Sequence, residues 1–563
     1  MREVRLNPKA ITAAQMYGEV DPMSDEWTTG VFAAIWTKYN NRENPYSTWI
    51  VCDSPVDTFW IEDLNTVLDD NQILTLSNGD RIPMTDNVKI MFENETLINA
   101  SPATVSRCGI IYVSQSDLGW TPIVQAWAKK PDPNQPDLLK KKAVLLKQFY
   151  IYMGDDETPA DAGKMFSFLK REVAPVMNVV IAGVARACCR MLDGLLQHIN
   201  ISKGSEGDAA LARVFVYAVT WSIGALLEGE DRRKWDIYLR EQPGGDPNAL
   251  PQLRDNEDTI YEYFVEDNAP NEWKRWSAPS WKYPEVPRGQ KLRFSSLLVP
   301  TMDSRRSLYV MSQLQSQGLP VMMTGSQGTA KTSSALMWSE KFDANIMEFK
   351  FVNFSSATLQ RNFQDSIEES LDKRGGNSFG PPNGKKLTVF VDDISMPEIN
   401  EWGDQPTNEI VRQLVEFGNF AFLDKDKRGV MKKCDDLVFL AAMTHPGGGR
   451  NDIPDRLKSH FLIFNLVPPS LESINDIYGQ ILGGYYKENK DTDFLEQGGV
   501  NLAKEGRDIV KKFTKTTIDL WTKVRKSLLP TPAKFHYVFT MRELSRIFQG
   551  VLTAPMNTVN TGG

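Results

Sequence analysis

The octapeptide Gly325-Ser326-Gln327-Gly328-Thr329-Ala330-Lys331-Thr332 constrains this chain more than any other feature. The apolar run at 319–324 before it suits a buried strand, and residues 333–342 after it suit a helix. Strand, glycine-bearing loop, Lys-Thr and helix is the context in which backbone N–H groups and a helix N-terminus cradle phosphate oxygens. Lys331 is then placed to reach the outer phosphates, and the Thr332 hydroxyl to bind Mg²⁺. Ala330 stands where the pattern has its last glycine, so the loop must place that backbone without strain.

Downstream, Leu387-Thr-Val-Phe-Val-Asp392-Asp393 reads as an apolar strand ending in two acids. A carboxylate at the carboxyl end of a strand beside a phosphate loop is what Mg²⁺-ATP chemistry requires. Asp392 is expected to hold Mg²⁺, directly or through water, and Asp393 to polarise the attacking water. Both elements together point to nucleotide binding.

At 563 residues, two to four domains are expected. The chain is 41% hydrophobic and 24% charged, within the range of soluble globular proteins. A net charge of -8 with no broad basic field argues against nucleic acid as a partner. The five cysteines, an odd number without metal-ligand spacing, suit a reduced, cytosolic environment. None of the four histidines is paired at a metal-site spacing. The first residues carry no signal-peptide core, and the best apolar stretch, 176–185, is too short to span a bilayer, so no membrane partner is expected.

Along the chain the pattern alternates. Residues 1–120 read as α/β, with strands at 48–53, 88–92 and 109–113 and a hairpin around Asn78-Gly79. Residues 121–250 read as helical, with helical spacing through 138–152, 165–199 and 209–227 and breaks at 154–163 and 202–208. Residues 251–300, rich in Pro and Trp, read as an ordered connection with short strands near 260–265 and 281–283. Residues 301–468 return to α/β with a further strand at 437–443, and 469–563 turn helical. There Val510, Phe513, Thr517, Trp521, Val524 and Leu528 predict a core-facing stripe. The fold class is therefore α/β: tandem nucleotide-binding modules, each a parallel-sheet subdomain followed by a helical lid. No phosphate loop precedes Asp53, so the first module is expected to be partial, to expose a sheet edge, and to belong to something larger.

These motifs resemble part of the motor ring of a dynein heavy chain, an AAA+ protein. The runs Asp53-Ser-Pro-Val-Asp-Thr-Phe-Trp60-Ile-Glu, Leu74-Thr-Leu-Ser-Asn-Gly-Asp-Arg-Ile82 and Ala100-Ser-Pro-Ala-Thr-Val-Ser-Arg107 look like the second ring module. The phosphate loop, Asp392-Asp393-Ile-Ser-Met-Pro397, Asn400-Glu-Trp-Gly-Asp404, Pro446-Gly-Gly-Gly-Arg450-Asn451-Asp452 and Arg542-Glu-Leu-Ser-Arg-Ile-Phe-Gln-Gly550 look like the third. The variants are most similar to axonemal outer-arm chains of the gamma type.

The resemblance implies a segment of a microtubule motor that binds ATP or ADP with Mg²⁺. Its implied partners are the remaining modules of the same heavy chain and other dynein heavy, intermediate and light chains. Microtubules would be reached only through a stalk that this chain lacks. The implied location is the cytoplasm and cytoskeleton, in the axoneme of a cilium or flagellum. In the second module Asp53 can assist Mg²⁺, but Ser54 cannot accept a proton from water, so no hydrolysis is expected there. In the third, Asp393 replaces the usual glutamate and is one methylene shorter, which predicts slow turnover. Thr444 matches a sensor of the γ-phosphate, and Arg542 a second sensor on the lid. Arg107 matches a trans-acting arginine aimed at the preceding module, with a structural ion pair as its other reading. Ser459 stands where the family has such an arginine; Arg456 and Lys458 are candidate substitutes, but neither occupies the matching place. The full heavy chain would be an ATPase and this segment at most weakly active. A remodelling ATPase resembling midasin and a non-hydrolysing, nucleotide-stabilised scaffold are the alternative readings.

Overall fold

The computed structural model describes residues 1–114, 119–131, 137–154, 164–199, 201, 204–242, 247–256, 258–284, 293–315, 317–424, 427–447, 450–486 and 504–553. Near the start, three parallel strands pair in the order β1 (Arg2–Leu6), β2 (Thr48–Asp53) and β3 (Val88–Glu93). Central β2 buries Ile50, Val51 and Cys52, and Phe32, Ile35 and Trp36 of the Val31–Tyr39 helix join the same core. The Asn78-Gly79 hairpin pairs Ile73–Thr75 with Arg81–Pro83.

The strand expected at 109–113 is absent. Those residues are irregular, and Ile110, Ile111, Tyr112 and Val113 are exposed. The reason is missing partners. Among the described strands, β3 pairs only with β2, so nothing lines up beside its outer edge. Apolar sequence with no ladder to join leaves its backbone to water.

The next region is helical: Thr121–Lys129, Leu138–Met153, Lys164–Arg171, Ile181–His198, Ser205–Thr220 and Glu230–Arg240. Two expected helices are divided. The pattern at 165–199 breaks between Arg171 and Ile181, where Pro175 lacks an N–H and disfavours helix at the residue before it. The pattern at 209–227 stops at Thr220 and resumes as a short turn, Gly224–Leu226. A Cβ on Gly224 would lie 2.7 Å from both the Trp235 ring and the Tyr261 hydroxyl, so the chain can pass there only as glycine. Of the predicted breaks, residues 155–163, 202 and 203 lie outside the described residues. In the connection, Tyr263–Val265 pairs with Trp273–Arg275. Residues 281–283 are not a strand; Trp281 and Tyr283 instead lay their rings on the cluster of Leu297, Val299 and Ile481.

The second α/β unit has five parallel strands in the order β5 (Met347–Asn353), β6 (Lys386–Asp392), β7 (Leu437–Met443), β4 (Val321–Thr324) and β8 (Leu462–Asn465). Both faces are covered, as a parallel sheet requires. Met323, Phe390, Leu440 and Ala442 join one buried cluster, which includes Leu308, Met311 and Leu314 of the Met302–Gln315 helix. Met322, Val389, Val391 and Ala441 join the other, with Ile410, Val411 and Leu414 of the Pro406–Phe417 helix. The phosphate-loop strand β4 therefore lies inside the sheet, between β7 and β8.

The last helices are Leu471–Tyr485, Lys504–Ser527 and Met541–Leu552. The predicted stripe is displaced. Thr514, Ile518 and Trp521 are buried, while Phe513 is 43% and Leu528 39% exposed. The Lys504–Ser527 helix packs on Leu471–Tyr485 along Ile518 and Trp521, so Phe513 falls outside the contact. Among the described residues, no helix is long and apolar enough to cross a membrane.

Candidate functional site

The octapeptide joins β4 to the Lys331–Ser339 helix. A Cβ on Gly325 would lie 2.5 Å from Thr329 Oγ1 and 2.8 Å from the Leu466 carbonyl, so that position must be glycine. Ala330 takes φ 60° and ψ 29°, the left-handed conformation that the missing glycine would adopt freely. Lys331 folds onto its own loop. Its Nζ donates to the Gly325 carbonyl at 2.8 Å and to the Ser326 carbonyl at 2.9 Å. Burial pulls its pKa down to about 8, against the attraction of Asp393 and Asp392.

Gln327, Gly328, Thr329, Ala330, Lys331 and Thr332 line a cavity of about 1020 Å³, together with Asp392, Asp393, Thr444 and Arg542. Thus β6 and β7, the loop and the Met541–Leu552 helix bring the predicted residues to one place. The Thr332 hydroxyl donates to Asp392 Oδ2 at 2.6 Å. Burial raises the Asp392 pKa, partly offset by that hydrogen bond. Two hard oxygens side by side, one a half-buried carboxylate, suit Mg²⁺, which takes few protein ligands and completes its shell with phosphate and water. Asp393, just past the strand, has φ 54°, and its N–H donates to Asp392 Oδ1 at 3.1 Å. A left-handed non-glycine residue costs energy, and such strain concentrates at functional sites.

The apolar residues of the cavity carry no readable motif. Leu297, Leu298, Val299, Ile477 and Ile481 form an apolar side fit for a flat heterocycle. They come from the connection and from the Leu471–Tyr485 helix, and only folding joins them. Arg450 and Arg546 also line the cavity; Gly448 and Gly449 of the Arg450 loop lie outside the described residues.

In the first unit, Asp53 is 2% exposed at the end of β2. Arg5 Nη1 donates to its Oδ2 at 2.9 Å, Arg412 Nη2 to its carbonyl at 2.8 Å, and Arg456 Nη2 to its Oδ1. Ser54 is fully buried and donates to the Pro55 carbonyl at 3.1 Å. Of the two substitute cations, only Arg456 reaches across to the first unit. Lys458 is paired with Asp452 at 2.7 Å and Asp455 at 3.0 Å. Ser459 Oγ donates to the Arg456 carbonyl at 2.8 Å. Arg107 forms an ion pair with Asp69 and donates to the Ala103 carbonyl at 2.8 Å, both within its own unit.

Comparison with known proteins bears directly on this arrangement. Residues 286–469, which hold the loop and both acids, match the P-loop containing dynein motor region. Residues 162–278 match the dynein heavy chain AAA lid domain, and 513–562 the AAA+ lid domain. The chain belongs to the dynein heavy-chain motor family. It is 44% identical to dynein axonemal heavy chain 5 of Rattus norvegicus over 98% of this chain and 15% of that relative. Against the dynein gamma chain, flagellar outer arm, of Chlamydomonas reinhardtii it is 42% identical over 99% of this chain and 12% of the relative. Against dynein axonemal heavy chain 8 of Homo sapiens it is 41% identical over 98% and 12%. The chain thus spans about one seventh or less of these curated relatives. Its parallel-sheet units and helices are the α/β AAA+ architecture of dynein motor modules.

Proposed function

We propose that this chain is a regulatory ATP-binding segment of an axonemal dynein motor, comprising part of the second ring module and the third. Slow ATP hydrolysis in the third module would gate the main motor site, and the second would hold nucleotide without hydrolysing it. The observation that carries this reading is the convergence of Lys331, Thr332, Asp392, Asp393, Thr444 and Arg542 on one cavity. Lys331 would leave the Gly325 and Ser326 carbonyls for the outer phosphates. Thr332 and Asp392 would hold Mg²⁺, which when bound would neutralise charge on the transferred phosphoryl group. Asp393 would orient the attacking water, while Thr444 and Arg542 would contact the γ-phosphate. In the first unit Ser54, buried and bonded to a carbonyl, offers no base.

The axonemal relatives support a place in a cilium or flagellum, with other dynein subunits and the rest of the heavy chain as partners. The deciding experiment is single-turnover ATP hydrolysis in the full heavy chain, with its main site disabled, comparing native protein with Asp393→Asn. Slow hydrolysis lost in the variant is the expected result. Bound ATP that stays intact in both proteins would replace this reading with a nucleotide-stabilised scaffold.

A further inference from the structure

The Pro406–Phe417 helix touches both α/β units, and it does so with side chains that have little freedom. Its first turn holds the backbone after Asp393. Gln405 Nε2 donates to the Ser395 carbonyl at 3.2 Å and to the Pro397 carbonyl at 3.1 Å. Asn408 Nδ2 donates to the Ile394 carbonyl at 3.1 Å and to Gln405 Oε1 at 2.8 Å. The Ile394 N–H in turn donates to the Ala442 carbonyl of β7 at 3.1 Å. The strained turn at Asp393 is therefore pinned by one helical turn on one side and by the sheet on the other.

One turn further along the same helix, Arg412 crosses to the first unit. It is 1% exposed, and its guanidinium donors are shared among acceptors from both units. Nε donates to Glu409 Oε2 at 3.0 Å, Nη1 to Glu416 Oε2 at 2.6 Å and to Asp53 Oδ2 at 3.3 Å, and Nη2 to the Asp53 carbonyl. Glu409 is itself held by Asn7 Nδ2 at 2.9 Å, from the first unit. Lys9, also from the first unit, pairs with Asp404 at 2.8 Å, just ahead of the helix. A buried ion cluster of this kind is weak as a source of stability but strict about geometry, because a displaced partner leaves a charge unpaired. Asn408 and Arg412 are four residues apart and so lie on one helical face.

We infer that Arg412 is a positioning residue: by gripping Asp53 across the boundary between the units, it sets the Pro406–Phe417 helix and, through Gln405 and Asn408, the aim of Asp393. The state of the first unit's carboxylate then regulates turnover in the second unit. Anything that draws Asp53 away from Arg412, a divalent cation included, shifts the helix and with it the water-orienting acid. Arg5 and Arg456 share the same carboxylate with Arg412, and Arg456 Nη1 is buried without an acceptor of its own. Loss of the Arg412 contact therefore still leaves Asp53 with charged partners. This inference rests on the proposed role of Asp393.

The test uses the full heavy chain with its main site disabled, and the variants Arg412→Gln, Asp53→Asn and the double variant. The first readout, independent of activity, is backbone hydrogen exchange of the 393–397 segment. Each single variant is expected to speed that exchange by about tenfold, with no further effect in the double variant, because the two residues act as one contact. Single-turnover hydrolysis is expected to fall by about tenfold or more, since a misplacement of about 1 Å can cost on the order of 100-fold. ADP affinity of the third-module cavity, which neither Asp53 nor Arg412 lines, is expected to stay within about twofold, which a general loss of structure would not allow. Unchanged exchange at 393–397, or effects of the two variants that add, would overturn the inference. Should Arg412→Gln fail to fold, Asp53→Asn, which keeps the shape of the side chain, decides on the same readouts. Should Asp393→Asn leave hydrolysis unchanged, the catalytic reading fails while the exchange result still decides the relay.

Discussion

Ala330 is the residue at which this phosphate loop departs from its pattern, and its backbone records the cost. At φ 60° a side chain costs about 1–2 kcal/mol relative to the right-handed region. Ala330→Gly removes that cost but frees the unfolded chain by about 0.4–1 kcal/mol. A net gain of roughly 0.5–1 kcal/mol is expected, read as a higher Tm with ADP binding retained or tightened. The neighbouring Lys331 gives a pH signature. Its pKa falls from 10.5 to about 8 in the folded chain. Between those values the unfolded chain still holds the proton that the folded chain has released, so this group makes stability rise with pH across that window. Nucleotide binding runs the other way, because phosphate favours the ammonium form. ADP affinity is expected to be flat below pH about 8 and to weaken above it, by at most about tenfold per pH unit, in binding titrations across that range. Insensitivity to pH up to 9.5 would show that Lys331 keeps its charge in the free site.

The elements differ in how plainly the sequence announces them. Strands β4, β6 and β7 are buried on both faces, so each reads as an apolar run, and β6 shows its chemistry in the two acids at its end. The loop and its lysine are equally legible, because phosphate binding needs fixed residue types at fixed spacing. The 109–113 segment has strand composition and no strand, since pairing depends on a neighbour that local composition cannot report. For the same reason the apolar side of the cavity and the contact between Arg412 and Asp53 are illegible in sequence: the first joins 297–299 to 477–481, the second joins positions 359 residues apart, and Arg412 carries no motif. Arg542 is an intermediate case, placed by a helix whose start is legible. Thr540 and Glu543 form a capping box, with Thr540 Oγ1 accepting from the Arg542 N–H at 3.2 Å and Glu543 Oε2 from the Thr540 N–H at 2.7 Å. Thr540→Ala is expected to destabilise that helix by about 1 kcal/mol. The lid would loosen where Arg542 enters the cavity, so nucleotide affinity should fall together with the helix's protection from hydrogen exchange. A fall in protection without a change in affinity would mean that Arg542 does not contact nucleotide.

At the scale of the whole molecule, the two sheets are unequal. The second is a five-stranded sheet with its phosphate-loop strand inside; the first has three strands and leaves the outer edge of β3 unpaired among the described residues. On the same unit, Ile111 is 88% exposed, Tyr112 85% and Val113 79%. An open edge with apolar residues on the same unit is a template for another chain. In the folded molecule these side chains contribute little to the core, so changing them should not alter its stability. Ile111→Lys with Val113→Lys replaces two exposed apolar side chains of this unit with like charges. The isolated 563-residue chain is expected to self-associate as concentration rises, and the double variant to remain monomeric at the same Tm, by sedimentation velocity and thermal melting. Equal association in both proteins would move the contact away from this segment. The exposed face of the Lys504–Ser527 helix, where Ile509 and Leu520 are 66% and 61% exposed, would then be the next place to introduce charge.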